Sequence, residues 1–158
     1  LRTSHPQAEC CLLGFLDVQN PAAISRKQMD EWVAEGVVNY LGTSDDVRVQ
    51  IAEADCVVLP SYREGTPRSM LEAAAMARPL VATNAVGCKE VVDDGSTGYL
   101  CEVRSASDLA RQMARMADMT HTERTAMGQR GREKMEREFD EQLVIDAYLQ
   151  AIPALVHR

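Results

Sequence analysis

The stretch that most limits the possible folds is residues 56–77, where an apolar run is followed at once by a helix-forming run. Residues 56–60 are apolar and rich in β-branched side chains, which is typical of a parallel strand buried on both faces. Residues 68–77 are rich in Leu, Met, Glu and Ala, which favour helices. Pro67 suits the first helical position, where its missing amide hydrogen would have no partner, and Thr66 then becomes the N-cap. The stretch therefore predicts a buried strand, a loop and a helix.

The same alternation recurs along the chain. Four further apolar runs predict strands, at residues 10–16, 37–41, 79–83 and 98–101. Further helical patterns lie at residues 25–35, 45–54, 88–92, 109–118, 123–137 and 140–155. N-cap signals mark the starts of four of these helices, at Ser44, at Ser105 with Asp108, at Thr120 with Glu123, and at Asp140. This order predicts an α/β fold with a Rossmann-like, mostly parallel sheet flanked by helices.

The loop between the central strand and its helix has the chemistry of a binding site. A helix that opens at the carboxyl end of a parallel strand presents unpaired amide hydrogens and the positive end of its dipole, so it can bind phosphate. Gly65 leaves room for a ligand to approach the backbone there. Glu64 and Glu72 bracket the loop, and their carboxylates can accept hydrogen bonds from sugar or ribose hydroxyls. The short helix predicted at residues 88–92 gives a second anion site, which can face the same crevice.

Charge and hydropathy exclude two classes of function. The formal net charge of −7 disfavours nucleic-acid binding, which depends on clustered Lys and Arg. No apolar run approaches the length of a membrane span. The negative charge is awkward for an anionic ligand, because Arg63 and Arg68, which flank the loop, are expected to be solvated.

The cysteines and histidines do not form a recognisable metal or catalytic motif. The five cysteines include no Cys-x-x-Cys pair, so we expect buried, reduced side chains in a cytosolic protein; they are Cys10, Cys11, Cys56, Cys88 and Cys101. The three histidines, His5, His121 and His157, are scattered and have no acidic or cysteine-rich partner motif. Neither a metal centre nor a nucleophilic triad is expected.

Several segments, taken together and in order, carry a family resemblance. They are Glu64-Gly65-Thr66-Pro67, Leu71-Glu72-Ala73, Arg78-Pro79-Leu80-Val81-Ala82-Thr83, Val86-Gly87, Glu90 and Asp94-Gly95-Ser96-Thr97-Gly98-Tyr99-Leu100. This combination resembles the family-4 glycosyltransferases, and the match covers nearly the whole chain. The glutamate pair alone would be a weak signal; the specificity lies in the combination.

The resemblance implies a domain organisation. It makes residues 1–158 a single donor-binding domain, the carboxyl-terminal half of a GT-B glycosyltransferase. The chain starts at Leu1 rather than at Met, and we expect a fragment that lacks the acceptor-binding domain and the first elements of its own domain. In the family, an Arg and a Lys that neutralise the donor diphosphate lie in those first elements.

The resemblance also implies the site. Glu64 is expected to serve the transferred sugar as the catalytic residue, and Glu72 to hold the nucleotide ribose. The other donor-binding residues implied in the central segment are Gly65, Thr66, Pro67, Arg68, Ser69 and Leu71. Those implied elsewhere are Gly14, Leu41, Gly42, Thr43, Gly87 and Glu90. The turn at Leu41-Gly42-Thr43 lies beside the base in this interpretation, although an ordinary turn explains it equally well.

The implied reaction is transfer of a hexosyl group from a nucleotide-diphosphate sugar to a hydroxyl, with retention of configuration. No metal, cofactor or protein nucleophile is expected, and the nucleotide sugar is a co-substrate. The acceptor, a sugar or lipid-linked glycan in polysaccharide or glycoconjugate synthesis, would bind the absent domain. We therefore expect a cytoplasmic enzyme associated with the inner membrane face, and an inactive isolated chain. The alternatives are a nucleotide-sugar epimerase or phosphorylase of the same architecture and a non-catalytic nucleotide-binding module.

Overall fold

The computed structural model describes residues 1, 3–16, 18 and 23–156, the last four of them by backbone alone. Two compact units divide the chain, Leu1–Val49 and Gln50–Arg158. The strands are β1 Cys11–Leu12, β2 Asn39–Tyr40, β3 Val57–Leu59, β4 Leu80–Thr83 and β5 Gly98–Cys101. The helices are α1 Arg26–Ala34, α2 Arg48–Glu53, α3 Arg68–Ala75, α4 Ala106–Asp118, α5 His121–Glu138 and α6 Glu141–Val156. His157 lies outside the described residues.

The first unit contains a small parallel sheet. β1 pairs with β2, with Cys11 opposite Asn39 and Leu12 opposite Tyr40. Helix α1 begins after Ser25, whose hydroxyl accepts a hydrogen bond from the amide of Gln28 at 3.2 Å. Both strands are shorter than the apolar runs predicted, because the chain turns away from the pairing direction at Gly14 (φ 151°) and Gly42 (φ 75°).

The second unit is built on three parallel strands in the order β3-β4-β5. The central strand β4 is buried along its whole length, as its apolar sequence predicts. Four buried side chains from this strand, β5 and the helices α4 and α5 form one cluster of the core: Val81, Tyr99, Met116 and Met127. The fold-class prediction of parallel strands flanked by helices therefore agrees with the architecture, although the strands form two sheets.

Helix α5 packs closely against the end of α3. A Cβ at Gly128 would overlap the carbonyl oxygen of Ala77, so the helix backbone approaches as near as glycine permits. Further along the same helix Lys134, which is buried, forms an ion pair with Asp93 at 2.5 Å. These contacts fix α5 behind the sheet.

Two of the predicted helix caps agree with the structure. The capping box of Thr120 and Glu123 is present in α5, and Ser105 accepts from the amide of Asp108 in α4. Helix α4 nevertheless begins at Ala106, three residues before the predicted start. This earlier start follows directly from Ser105 being the cap.

Two predicted N-caps are wrong. Thr66 does not cap α3; the N-cap is Pro67 (φ −70°, ψ 113°), which provides no side-chain hydrogen bond. Ser44 does not cap α2, which starts at Arg48 rather than at residue 45. The hydroxyl of Ser44 instead accepts a hydrogen bond from the amide of Asp46 at 3.1 Å. The carboxylate of Asp46 in turn accepts from the amide of Arg48 at 3.0 Å. At Ser44 the local turn delays the helix start to Arg48, whereas α3 begins only one residue later than predicted.

The predicted helix at residues 88–92 is also wrong. The amides of Cys88 and Lys89 both bond to the carbonyl of Ala85, and those of Val91 and Val92 both bond to the carbonyl of Cys88. Successive turns of this kind do not build the continuous series of hydrogen bonds of a helix, so the segment consists of turns.

Two further observations concern side-chain exposure. Cys88 and Cys101 are buried as expected, but Cys10 and Cys56 are only partly buried and Cys11 is exposed. All of residues 141–152 in α6 are exposed, including its apolar side chains Leu143, Val144, Ile145, Tyr148, Leu149 and Ile152. Among the described helices, none is long and apolar enough to cross a membrane.

Candidate functional site

Two loops meet at the carboxyl ends of β3 and β4. The Glu64 loop, residues 61–66, follows β3, and the Gly87 loop, residues 84–90, follows β4. Because the two strands are parallel and directly paired, both loops leave the sheet at the same edge. This is the edge at which ligands of open α/β sheets bind.

The Glu64 side chain is held by hydrogen bonds that the sequence did not reveal. The hydroxyl of Ser61 donates to Oε1 of Glu64 at 2.5 Å. The hydroxyl of Thr83, at the buried end of β4, donates to the carbonyl of Ser61. The amide of Glu64 donates to the carbonyl of Val86 at 3.1 Å. The loop is therefore held to the end of β4 and to the Gly87 loop, and one carboxylate oxygen of Glu64 is already engaged.

Gly87 allows the two loops to touch backbone to backbone. Its φ is 88°, and a Cβ there would overlap the carbonyl oxygen of Gly65 and lie 2.6 Å from that of Glu64. The amide of Gly87 donates to Oε2 of Glu90 at 2.7 Å. The geometry therefore gives Gly87 and Glu90 a role in shaping the loops. Gly65 itself is exposed, and no atom lies within 4 Å of a Cβ built on it.

Glu72 lies on the second turn of α3, where its carboxylate accepts a hydrogen bond from Nε of Arg68 at 3.0 Å. The Arg68 side chain is 91% exposed and that of Glu72 is 34% exposed. Arg63 is exposed as well, so both arginines beside the loop are solvated as expected. An exposed pair four residues apart on a helix is weak, at about 0.3–0.5 kcal/mol, and a ligand hydroxyl can displace it.

The beginning of α3 remains the better of the two predicted anion sites. Pro67 caps the helix without a side-chain acceptor, so no cap side chain covers its first amides. Thr66 and Ser69 are exposed beside this turn, whereas Pro67 is buried and Leu71 partly buried. The second predicted anion site lacks its helix, as described above, and only a series of turns follows β4.

Cys88, which follows Gly87 in the same loop, is fully buried. Burial raises the pKa of its thiol, a hydrogen bond with Thr83 lowers it by less, and the negative charges of Glu64 and Glu90 also raise it. The thiol is therefore protonated near neutral pH and is a poor nucleophile. No three metal-ligating side chains are grouped within the described part of the chain.

The remaining predicted site residues form a separate turn in the first unit. The amide of Gly14 donates to the carbonyl of Gly42 at 2.9 Å, and the hydroxyl of Tyr40 donates to the carbonyl of Gly14 at 2.8 Å. Leu41 and Thr43 are exposed on either side of Gly42. The structure thus brings Gly14 together with residues 41–43, as a turn after two parallel strands.

A comparison with known families identifies this architecture. Residues 1–119 match the family model described as Glycosyl transferases group 1. The chain belongs to this family. The group 1 match covers the first unit and the second unit as far as the end of α4.

The relatives of this group 1 glycosyltransferase chain are bacterial glycosyltransferases. The N,N'-diacetylbacillosaminyl-diphospho-undecaprenol alpha-1,3-N-acetylgalactosaminyltransferase of Campylobacter jejuni is 33% identical over 108 residues, which are 68% of this chain and 27% of that protein. The chain spans about a quarter to a third of the length of such curated relatives.

Solved glycosyltransferase structures share the fold. The sucrose-phosphate synthase of Thermosynechococcus elongatus matches with a TM-score of 0.80 and 26% identity, over 98% of this chain and 40% of that one. Anabaena Alr3699/HepE in complex with UDP matches with a TM-score of 0.78 and 21% identity, over 94% and 42%. The α/β fold with parallel strands is thus that of the carboxyl-terminal half of a GT-B glycosyltransferase, as predicted.

Proposed function

We propose that this chain binds the nucleotide-diphosphate sugar of a retaining glycosyltransferase of family 4, for transfer of a hexosyl group to a hydroxyl acceptor. The observation that carries the proposal is the junction of two loops at the carboxyl edge of β3 and β4. There a fixed Glu64 lies in the loop that leads into the uncapped first turn of α3. The amides at the start of a helix can bind a diphosphate, and a carboxylate can accept hydrogen bonds from sugar hydroxyls.

Within this site, Glu64 serves the transferred sugar and Glu72 the ribose. The hydrogen bond from Ser61 uses Oε1 of Glu64, so Oε2 is the oxygen that accepts a hydrogen bond from a sugar hydroxyl. Glu72 can exchange its exposed Arg68 partner for ribose hydroxyls at little cost. Amides of the first turn of α3 stabilise the charge that develops on the leaving diphosphate.

The donor is proposed to be a co-substrate of a reaction that uses no metal or other cofactor. A uridine nucleotide is the first candidate, because the structurally similar Anabaena protein binds UDP and UDP-glucose. The acceptor, a sugar or a lipid-linked glycan, would bind a further domain of a longer protein. The name of the Campylobacter relative describes a lipid-linked acceptor. This supports the proposal that the longer protein acts in glycoconjugate synthesis at the inner face of the membrane.

The experiment is to incubate the longer protein with UDP-glucose, UDP-N-acetylglucosamine or GDP-mannose, each with and without a lipid-linked acceptor. Transfer that requires the acceptor and keeps the anomeric configuration is the expected result. Epimerised sugar formed from donor alone would show an epimerase instead. Binding of the nucleotide with neither reaction would leave a non-catalytic module.

A further inference from the structure

The turn between β5 and α4 holds an arginine in a backbone conformation that usually belongs to glycine. The amide of Ser105 donates to the carbonyl of Glu102 at 3.3 Å, which makes Arg104 the third residue of the turn. The φ of Arg104 is 62°, in the left-handed region where a side chain costs conformational energy and where glycine is the usual choice. A side chain that persists at such a position invites a search for the contact that it makes.

Arg104 makes that contact with the Glu64 loop. Its guanidinium carbon lies 5.2 Å from the centroid of the Tyr62 ring, within the range of a cation–π interaction. Tyr62 is 62% exposed, so its ring is not held by the core. It lies between the two anchored residues of the loop, Ser61 and Glu64. The contact thus ties the turn after β5 to the loop after β3, across the end of the central strand.

We infer that Arg104 is a positioning residue for the Glu64 loop. Its guanidinium restrains the Tyr62 ring and thereby reduces the number of conformations that residues 61–66 adopt. This inference rests on the proposed function, because it makes the restrained loop the one that receives the donor. A loop that spends more time in the binding geometry gives a tighter apparent affinity in the same proportion.

The geometry separates this role from a contribution to folding. An exposed cation–π contact is weak, and the left-handed backbone of Arg104 works against stability. Arg104→Gly removes the contact and the strain together. This variant is therefore expected to loosen the loop while the unfolding temperature stays unchanged or rises. If Arg104 were instead a structural residue, the same substitution would lower the unfolding temperature as well.

The test measures amide hydrogen exchange of residues 62–66 and the Kd of UDP-glucose in four variants of the chain. Arg104→Gly and Tyr62→Ala are each expected to raise both the exchange rates and the Kd about two- to fivefold. The double variant is expected to go no further than either single one, because both remove the same contact. Arg104→Lys keeps a cation beside the Tyr62 ring, so its exchange rates and Kd are expected to stay close to those of the wild type.

Each outcome decides the inference. Unchanged exchange in Arg104→Gly, or effects that simply add in the double variant, would overturn it. A fall in the unfolding temperature that matches the loss of affinity would make Arg104 a structural residue. If the wild-type chain bound no nucleotide sugar, the proposed function would fail, while the exchange rates would still show whether Arg104 restrains the loop.

Discussion

Gly87 lies so close to Gly65 that a Cβ at position 87 would overlap the carbonyl oxygen of residue 65. Backbone atoms of the two loops are therefore in direct contact at the carboxyl edge of the sheet. Since neither partner at this point is a flexible side chain, the contact cannot adjust without moving a loop. The position of Glu64, one residue before Gly65, depends on it.

The first prediction is that Gly87→Ala strongly destabilises the chain. The new Cβ meets two backbone oxygens, and its φ of 88° is strained for alanine, which together should cost at least about 1–3 kcal/mol. Gly95→Ala is the matched control, because φ is 76° there but no atom lies within 4 Å of the new Cβ. Urea unfolding measures both. Equal losses in the two variants would mean that the loops separate easily, against the packing described.

The second prediction separates the two glutamates in the longer enzyme. Glu72→Ala should weaken UDP binding, because it removes the proposed ribose acceptor, whereas Glu64→Ala should mainly lower kcat. Glu136→Ala is a suitable control, because that side chain is 62% exposed and bonds only to Arg132 among the residues described. Calorimetry with UDP and steady-state kinetics give the two readouts. Unchanged UDP affinity in Glu72→Ala would remove its assignment to the ribose.

The third prediction concerns Gly65, which has open space around it. Gly65→Val should fold with nearly unchanged stability, because no protein atom lies within 4 Å of the new Cβ. Donor affinity should nevertheless fall, since the side chain occupies the approach to the backbone of the Glu64 loop. Circular dichroism and calorimetry check the two halves. Normal donor affinity in a folded Gly65→Val variant would place the donor elsewhere.

The fourth prediction concerns the capping box of α5. Thr120→Ala should cost about 0.5–2 kcal/mol, as loss of an N-cap does, while the exposed neighbour Thr122→Ala should cost much less. Hydrogen bonds from the amide and then the hydroxyl of Thr120 lower the pKa of Glu123. The stability that this carboxylate adds is thus present above the pKa that it has in the unfolded chain and is lost as the pH falls through the lower pKa of the folded state.

Urea unfolding at a series of pH values tests this sign. Glu123→Gln should be less stable than the wild type near pH 7, and the difference should vanish under strongly acidic conditions. A difference that grew as the pH fell would contradict the capping box as described.

Local signals predicted the fold well. The strand at residues 98–101 and the capping box of Thr120 agree with the structure residue by residue, because each depends on neighbours in the sequence. The strand at residues 10–16 was predicted too long, since an apolar run does not show where pairing stops. The helix predicted at residues 88–92 is absent because the segment forms turns whose geometry depends on the adjoining loop. The cap predicted at Thr66 is misplaced because α3 begins one residue later than predicted.

The two loops that form the candidate site could be predicted from the sequence, but the contacts between them could not. Glu64 and Gly87 stood out in the sequence, one as a carboxylate near a helix start and the other as a glycine after a strand. The hydrogen bond from Thr83 to Ser61 and the contact of Gly87 with Gly65 follow from the pairing of β3 with β4. No spacing in the sequence encodes such a contact, and nothing marked Arg104 as a partner of Tyr62.

The most direct test of the account is an amide chemical-shift titration of the 158-residue chain with UDP-glucose. We predict that the largest shifts fall in residues 61–72 and 84–90, and that Glu72→Ala reduces them at the same ligand concentration. Shifts confined to other parts of the chain, with residues 61–72 unaffected while ligand binds, would contradict the central claim that the Glu64 loop and the start of α3 receive the donor.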